Sequence, residues 1–264
     1  MSKKQKILPI GVFDSGIGGI SVLSELLWAL PHEHFIYVAD SANAPYGTKS
    51  PEQVRTLSLN VAKMIVDKGV KALVVACNTA TSVAIANIRE QYAIPVLGME
   101  PAIKPAVENG KNGKIVVMAT PLTLKEQKFN SLFSRFNSEA SIIPLPCGGL
   151  VELIEAEDEP GIKRYLQNLW ADIHLNEISS VVLGCTHYCF IKTELRETIG
   201  PDINIVDGNN GTVKHLERTL KEGKLLNDEP VAGLTGDRVE YVATGHDSKT
   251  VELCQRFLQR YMQK

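Results

Sequence analysis

The chain of 264 residues contains no apolar run approaching the ~18 that a membrane-crossing helix requires. It has no excess charge of one sign. Its 28 Lys and Arg against 30 Asp and Glu leave a net −2, so no overall basic field draws nucleic acid or an anionic membrane. The cysteine count is not even. Five thiols (Cys77, Cys147, Cys185, Cys189, Cys254) spread over a long chain argue against a disulfide framework and for free thiols in a reducing compartment. The basic start, Met1 to Lys6, is not followed by the apolar region and small-residue cleavage site of a signal peptide, so a cytoplasmic location is expected. Low-complexity segments and solenoid repeats are also missing. What is present, 44% hydrophobic and 22% charged residues, is ordinary globular composition at a length that suits one large domain or two small ones.

Short β-branched apolar runs alternate with longer segments of helical period. The runs predict strands at residues 8–13, 35–39, 72–76, 115–119, 141–145, 181–184 and 203–206. Helices are predicted over 51–68, 79–92, 121–136 and 161–174, with Pro51 at a first helical position after Ser50. Such alternation implies mainly parallel sheets covered by helices on both faces, with ligands at the carboxyl ends of the strands. Polar residues collect at those ends: Asp14-Ser15-Gly16, Asp40-Ser41, Cys77-Asn78-Thr79, Thr120 and Cys185-Thr186-His187. The segments 72–79 and 180–187 look alike, each a buried strand, a small residue, a Cys and a polar helix start. They suggest two similar α/β domains facing across a cleft. Crossovers near Pro95 to Pro105 and at Asp207-Gly208-Asn209-Asn210-Gly211 divide the chain into 1–97 plus 207–264 and 98–206.

Several motifs could carry chemistry. Asp14-Ser15-Gly16-Ile17-Gly18-Gly19 fits neither GxGxxG nor a phosphate loop. It reads either as a tight turn with an Asp helix cap or as a backbone nest for a carboxylate. Ala44-Pro45-Tyr46-Gly47 reads as a turn or as the wall of a small pocket. Cys77 and Cys185, each at a strand end before a polar helix start, could be inert core. As a matched pair they read better as thiols activated by helix N-termini. Cys254 on an amphipathic terminal segment and Cys147 before Gly148-Gly149 read as packing. Cys185, His187 and Cys189 at i, i+2, i+4 match no standard zinc spacing, and no metal is expected. His32, His34, His174, His215 and His246 read as solvated or structural. Glu152 reads as an exposed helix glutamate or a site carboxylate.

Asp14-Ser15-Gly16-Ile17-Gly18-Gly19, Pro45-Tyr46-Gly47, Cys77-Asn78-Thr79-Ala80 and Gly184-Cys185-Thr186-His187-Tyr188 resemble, in this order, the motifs of bacterial glutamate racemases of the aspartate/glutamate racemase family. The resemblance runs from about residue 9 to about residue 260. It implies two α/β domains with the active site between them, and a homodimer. It implies interconversion of L- and D-glutamate for peptidoglycan synthesis, with neither pyridoxal phosphate nor metal. By the same resemblance Cys77 and Cys185 would be the acid/base pair, Asp14 would assist Cys77 and His187 would assist Cys185. Ser15, Pro45, Tyr46, Gly47, Asn78, Thr79, Thr120, Thr123 and Thr186 would hold the carboxylates and the amine, and Glu152 matches a family glutamate near the second cysteine. One departure is Pro146-Cys147-Gly148-Gly149-Leu150, with glycines where bulkier residues are expected.

The chemistry suits these residues. Racemisation removes a proton from one face of a carbon and returns one to the other. Two thiols on opposite faces need only exchange roles. No lysine sits in a motif suggesting a Schiff base. Competing readings are a racemase of aspartate or another acidic amino acid, a thiol-redox or metal protein, and an inactive binding module.

Overall fold

The computed structural model describes residues 3–109, 113–136, 140–230 and 235–262. Its strands are β1 (Ile10–Asp14), β2 (Phe35–Ala39), β3 (Ala72–Val75), β4 (Val96–Gly98), β5 (Lys114–Ala119), β6 (Ile142–Pro146), β7 (Ile178–Gly184), β8 (Asn204–Asp207) and β9 (Val239–Ala243). They form two sheets, ordered β4-β3-β1-β2-β9 and β6-β5-β7-β8, in which every pairing is parallel.

Both sheets are covered on both faces, which explains the continuous hydrophobic runs. Ile10, Val12, Tyr37 and Val74 pack on one face of the first sheet, while Phe13, Val38, Leu73 and Val75 pack on the other. In the second sheet Val116, Met118, Val181 and Leu183 face one core and Ile115, Val117 and Val182 the other. The period of two along each strand assigns successive residues to opposite cores.

The expected strands are all present within two or three residues at their ends, and two further strands appear. β4 has only three residues between Pro95 and Met99, too short for its pattern to register. β9 is a half-exposed edge strand from the C-terminal part of the chain, paired with β2. The helix expected over 121–136 is a correction. It is two helices, Pro121–Lys125 and Gln127–Phe136, separated by Glu126 in extended backbone. No proline or glycine marks the break, so the local pattern could not reveal it; beyond it Phe129 reaches the core. The helix Pro51–Asp67 begins as expected, with Ser50 and Gln53 forming a reciprocal capping box. The helix expected over 161–174 runs from Glu159 to Trp170, because Asp158 caps it by accepting the Gly161 N–H at 3.0 Å.

Buried charge ties the returning C-terminal segment to the first sheet. Lys71, before β3, pairs with Glu33, and both are almost fully buried. The same ammonium donates to the Leu225 carbonyl at 2.9 Å, and the Glu33 carboxylate accepts the Asn227 N–H at 3.0 Å. Arg238 donates to the carbonyls of Leu27, Leu30 and Glu33 at the end of helix Ile20–Ala29. Burial lowers the Lys71 pKa, against the raising effect of Glu33. Removing one partner leaves the other charge buried and alone. We expect Lys71→Ala to lower stability by about 3–5 kcal/mol in urea unfolding. A loss below about 1 kcal/mol would mean that the pair contributes nothing.

Candidate active site

The strand ends lie level by register. Phe13 is opposite Val75 and Asp14 opposite Ala39, while Ala119 is opposite both Pro146 and Gly184. The chain therefore leaves each sheet at one height. Ser15, Tyr46 and Cys77 come from the first sheet, and Thr120, Cys147 and Cys185 from the second. A pocket lies between them.

Twelve of the residues expected at the site line this pocket: Cys77, Cys185, His187, Ser15, Pro45, Tyr46, Gly47, Asn78, Thr79, Thr120, Glu152 and Thr186. Asp14 and Thr123 stand behind it. The Asp14 carboxylate accepts the Gly16 N–H and the Thr186 hydroxyl, each at 3.0 Å. Helix Ile20–Ala29 takes no side-chain cap from Asp14 or any other residue. Thr123 Oγ1 lies 3.1 Å from Thr79 Oγ1 and 2.9 Å from Thr120 Oγ1, and those two are 3.0 Å apart. This hydroxyl triangle joins helix Asn78–Gln91 to helix Pro121–Lys125.

Tyr46 is buried and donates to Asp40 Oδ2 at 2.5 Å, while Thr244 Oγ1 donates to Asp40 Oδ1 at 2.6 Å. Asp40 thus anchors the loop Ala44-Pro45-Tyr46-Gly47, whose first bond is a cis Ala44–Pro45 peptide. Burial and Asp40 hold the Tyr46 phenol far above its ordinary pKa, so it remains a donor. Gly18 is required by close approach: a Cβ there would overlap Thr186 Oγ1 and His187 Nδ1.

Cys77 caps helix Asn78–Gln91, with its sulfur accepting the Ala80 N–H at 3.4 Å. Ser15 Oγ is also 3.4 Å away. The expectation that a helix N-terminus makes this thiol acidic is corrected by its burial. Burial first, and then the Asp14 charge, push the Cys77 pKa up to about 12, against the Ser15 and Ala80 hydrogen bonds. Cys185 differs from expectation locally. It precedes a 3-10 segment, Thr186–Ile191, and makes no capping hydrogen bond there. Its sulfur lies 3.9 Å from His187 Nδ1.

A carboxylate that the sequence reading missed completes this side. Glu155 Oε1 is 2.8 Å from His187 Nε2 and accepts the Ile17 N–H at 3.5 Å. Burial opposes charge on His187, but Cys185 and Glu155 outweigh it and hold the imidazole pKa well above its ordinary value. Burial likewise opposes charge on Glu155, and His187 outweighs it and holds the carboxyl low. Glu152 and Glu155 are one turn apart on helix Leu150–Glu155. Glu152 is exposed at the pocket rim, and Glu155 faces His187. Spacing alone could not choose between them.

Cys147, Gly148, Gly149, Val151, Thr48 and Pro121 also line the pocket without having been anticipated. Gly149 has φ +86 and open space about its missing Cβ, so backbone conformation rather than packing selects glycine. All five cysteines are free and buried. Among the described residues, no group of three His, Cys, Asp or Glu side chains is placed to hold a metal ion, and no helix is long and apolar enough to cross a membrane. His34, His174 and His215 are exposed and His32 is half-buried, while the side chain of His246 lies outside the described residues.

The profile of the Asp/Glu/Hydantoin racemase family matches residues 15–216. The chain belongs to this family. It is a racemase, an isomerase by class. It is 49% identical over 253 residues to a glutamate racemase of Clostridium acetobutylicum, covering 95% of this chain and 97% of the relative. The crystal structure of a glutamate racemase from Bacillus anthracis superposes with a TM-score of 0.84 at 28% identity, covering 96% of this chain and 95% of that one. A glutamate racemase from Francisella tularensis, solved in complex with D-glutamate, gives 0.82 at 31% identity, covering 96% and 94%.

Asp14 makes the site sensitive to pH. Burial raises its carboxyl from 3.8 to about 6, against His187, Gly16 and Thr186. A raised folded pKa favours the protonated fold, so its stabilisation is complete below 3.8 and lost as pH rises through about 6. The shift corresponds to about 3 kcal/mol. Unfolding titrations should show Asp14→Asn gaining on the wild type by about that amount between pH 4 and pH 7. A constant difference across that range would remove Asp14 as the titrating group.

Proposed function

We propose that the chain interconverts L- and D-glutamate without a cofactor, by proton transfer between Cys77 and Cys185. One observation carries this reading: the two cysteines end strands of different sheets and line the same pocket. A substrate between them presents opposite faces of its α-carbon to the two sulfurs. One thiolate takes the α-proton, and the thiol on the other side gives its proton to the opposite face. The carbon changes hand, and the two sulfurs have exchanged protonation states. The burial-raised pKa makes Cys77 a thiol, and hence a donor, in the free protein. A bound substrate ammonium supplies the positive charge that favours thiolate in the complex.

Removing an α-proton places negative charge on the substrate carboxylate. Hydroxyls of Ser15, Thr79 and Thr120 and the Asn78 amide are the donors at hand, each contributing on the order of 3–4 kcal/mol when well aimed; Thr186, whose hydroxyl proton goes to Asp14, can accept from the substrate ammonium. Thr123 holds Thr79 and Thr120 in place, and Pro45, Tyr46 and Gly47 form the wall opposite. Asp14 assists Cys77, and His187 assists Cys185 with Glu155 behind it. Glu152 stands at the rim, where it can meet the substrate ammonium. The relatives' names support glutamate as the substrate. D-glutamate so made would serve peptidoglycan synthesis in the cytoplasm, where the free thiols stay reduced.

The same proposal divides the chain into domains 1–97 plus 207–264 and 98–206, supported by strands β1 to β4 and β9 in one sheet and β5 to β8 in the other, although each boundary cuts off the last residue of a strand, Gly98 of β4 and Asp207 of β8. It includes a homodimer, which light scattering tests directly; a monomer's mass would remove that part.

In deuterated water, L-glutamate should gain deuterium at the α-carbon with no added cofactor. Cys77→Ala and Cys185→Ala should each abolish racemisation with the fold intact, and each Cys→Ser should leave a trace. Robust turnover in either alanine variant would refute the two-thiol mechanism. Exchange into aspartate but not glutamate would refute the substrate assignment.

A further inference from the structure

Glu157 has φ +52, a left-handed backbone that L-residues with side chains rarely adopt. It closes helix Leu150–Glu155: its N–H reaches the Ile154 carbonyl at 3.0 Å, and the Asp158 N–H reaches Leu153 at 3.0 Å. Glycine occupies this position in such helix ends without steric cost. A glutamate there calls for a reason in its side chain. That side chain is held by two arginines of the C-terminal helix Ser248–Met262. Arg256 donates to one carboxylate oxygen and Arg260 to the other, each at 2.5 Å. The arginines are four residues apart and share one helix face.

The same helix grips a second segment of the site. Phe257 and Tyr261 hold Phe190 between them, with ring centroids 4.6 and 5.7 Å from it. Phe190 lies in the 3-10 segment Thr186–Ile191, which carries His187. One helix therefore touches both halves of the Glu155–His187 pair, through the turn after Glu155 and through the segment containing His187. It packs on helix Ile20–Ala29 and β9, which belong with the first sheet. The grip thus crosses between the two halves of the molecule.

We propose that Glu157, clamped by Arg256 and Arg260, is a positioning residue that sets the Glu155–His187 pair against Cys185. This rests on the two-thiol reading above. Glu157 touches no substrate and acts through the two residues before it. Loss of the clamp slows proton transfer at Cys185 more than at Cys77, because Glu155 meets His187 at 2.8 Å but the loop behind Cys77 only through the 3.5 Å Ile17 contact.

The test uses the full chain, with Glu157→Gly, the double variant Arg256→Ala/Arg260→Ala, Cys77→Ser and Cys185→Ser. Each is assayed with L- and D-glutamate carrying hydrogen or deuterium at the α-carbon. The overall equilibrium of a racemase requires kcat/KM to fall equally in both directions, so the isotope effects identify the slowed transfer. Glu157→Gly should melt at or above the wild-type temperature, because glycine suits the left-handed turn. Its kcat/KM should fall about ten-fold, the scale of a small misplacement of a reacting group. The isotope effect should rise for the enantiomer that Cys185 deprotonates and fall for its mirror image, the sense shown by Cys185→Ser and opposite to Cys77→Ser. The arginine double variant should repeat this pattern. A stable Glu157→Gly enzyme with wild-type kcat/KM would overturn the proposal, as would a loss with symmetric isotope effects or with the Cys77→Ser sense. If the two serine variants fail to give opposite senses, the two-thiol reading itself falls, whatever Glu157 does.

Discussion

The hydrogen bond from the Thr186 hydroxyl to the buried Asp14 carboxylate joins the carboxyl ends of two parallel sheets. Everything in the pocket depends on that spacing. Thr186 lies between Cys185 and His187, and Asp14 leads directly into Ser15, which touches Cys77. A change of an ångström here is felt on both sides of any ligand. The junction is reinforced by the Ser21 hydroxyl on the Thr186 carbonyl at 3.3 Å, by Ile17 on Glu155, and by the three-threonine ring. These groups are mostly buried, so each hydrogen bond counts chiefly through the penalty of leaving it unmade.

The two thiols sit in unlike surroundings although their sequence contexts look alike. At Cys77 a helix N-terminus and burial act in opposite directions. A terminal turn offers a modest stabilisation of a nearby anion. Complete desolvation works on the scale of several pKa units, and here it prevails. The Asp14 charge adds to it. At Cys185 the neighbour is an imidazole whose pKa Cys185 itself and Glu155 raise against burial, which favours its charged form. The molecule therefore places a negative group behind one sulfur and a positive group beside the other.

The fold was largely legible because buried parallel strands carry their own signature, a run of apolar residues ending in polar ones. Residues 35–39 and 115–119 needed almost no adjustment. β9 was not legible, since an edge strand with Glu240 exposed has neither a full run nor a clean alternation. The pocket was legible in the motifs that follow strand ends, where Ser15, Cys77, Thr120 and Cys185 are forced into the cleft by register. It was not legible where a helix supplies the side chain. Glu152 and Glu155 lie on neighbouring turns of helix Leu150–Glu155, and which of them meets His187 is set by how the whole helix packs on Leu166 and Tyr188. The acidity of Cys77 was misread for a related reason: a motif reports the neighbours in sequence, whereas burial is a property of the assembled core.

The same distinction explains Gly148-Gly149. Their departure from the bulk expected there suggests a packing defect, yet nothing stands within 4 Å of a Cβ built on Gly149, and only Pro121 comes near one on Gly148. The space is at the rim, not in the core. The left-handed Gly149 lets the chain turn from β6 into helix Leu150–Glu155 within three residues. That turn lays Cys147 against Tyr188, whose hydroxyl donates to the Cys147 carbonyl at 3.1 Å. It also starts the helix close enough for its far end to reach His187. A bulkier, right-handed residue at 149 would redirect the helix and move Glu155 with it, so the backbone of the rim and the charge on the imidazole are set by one turn.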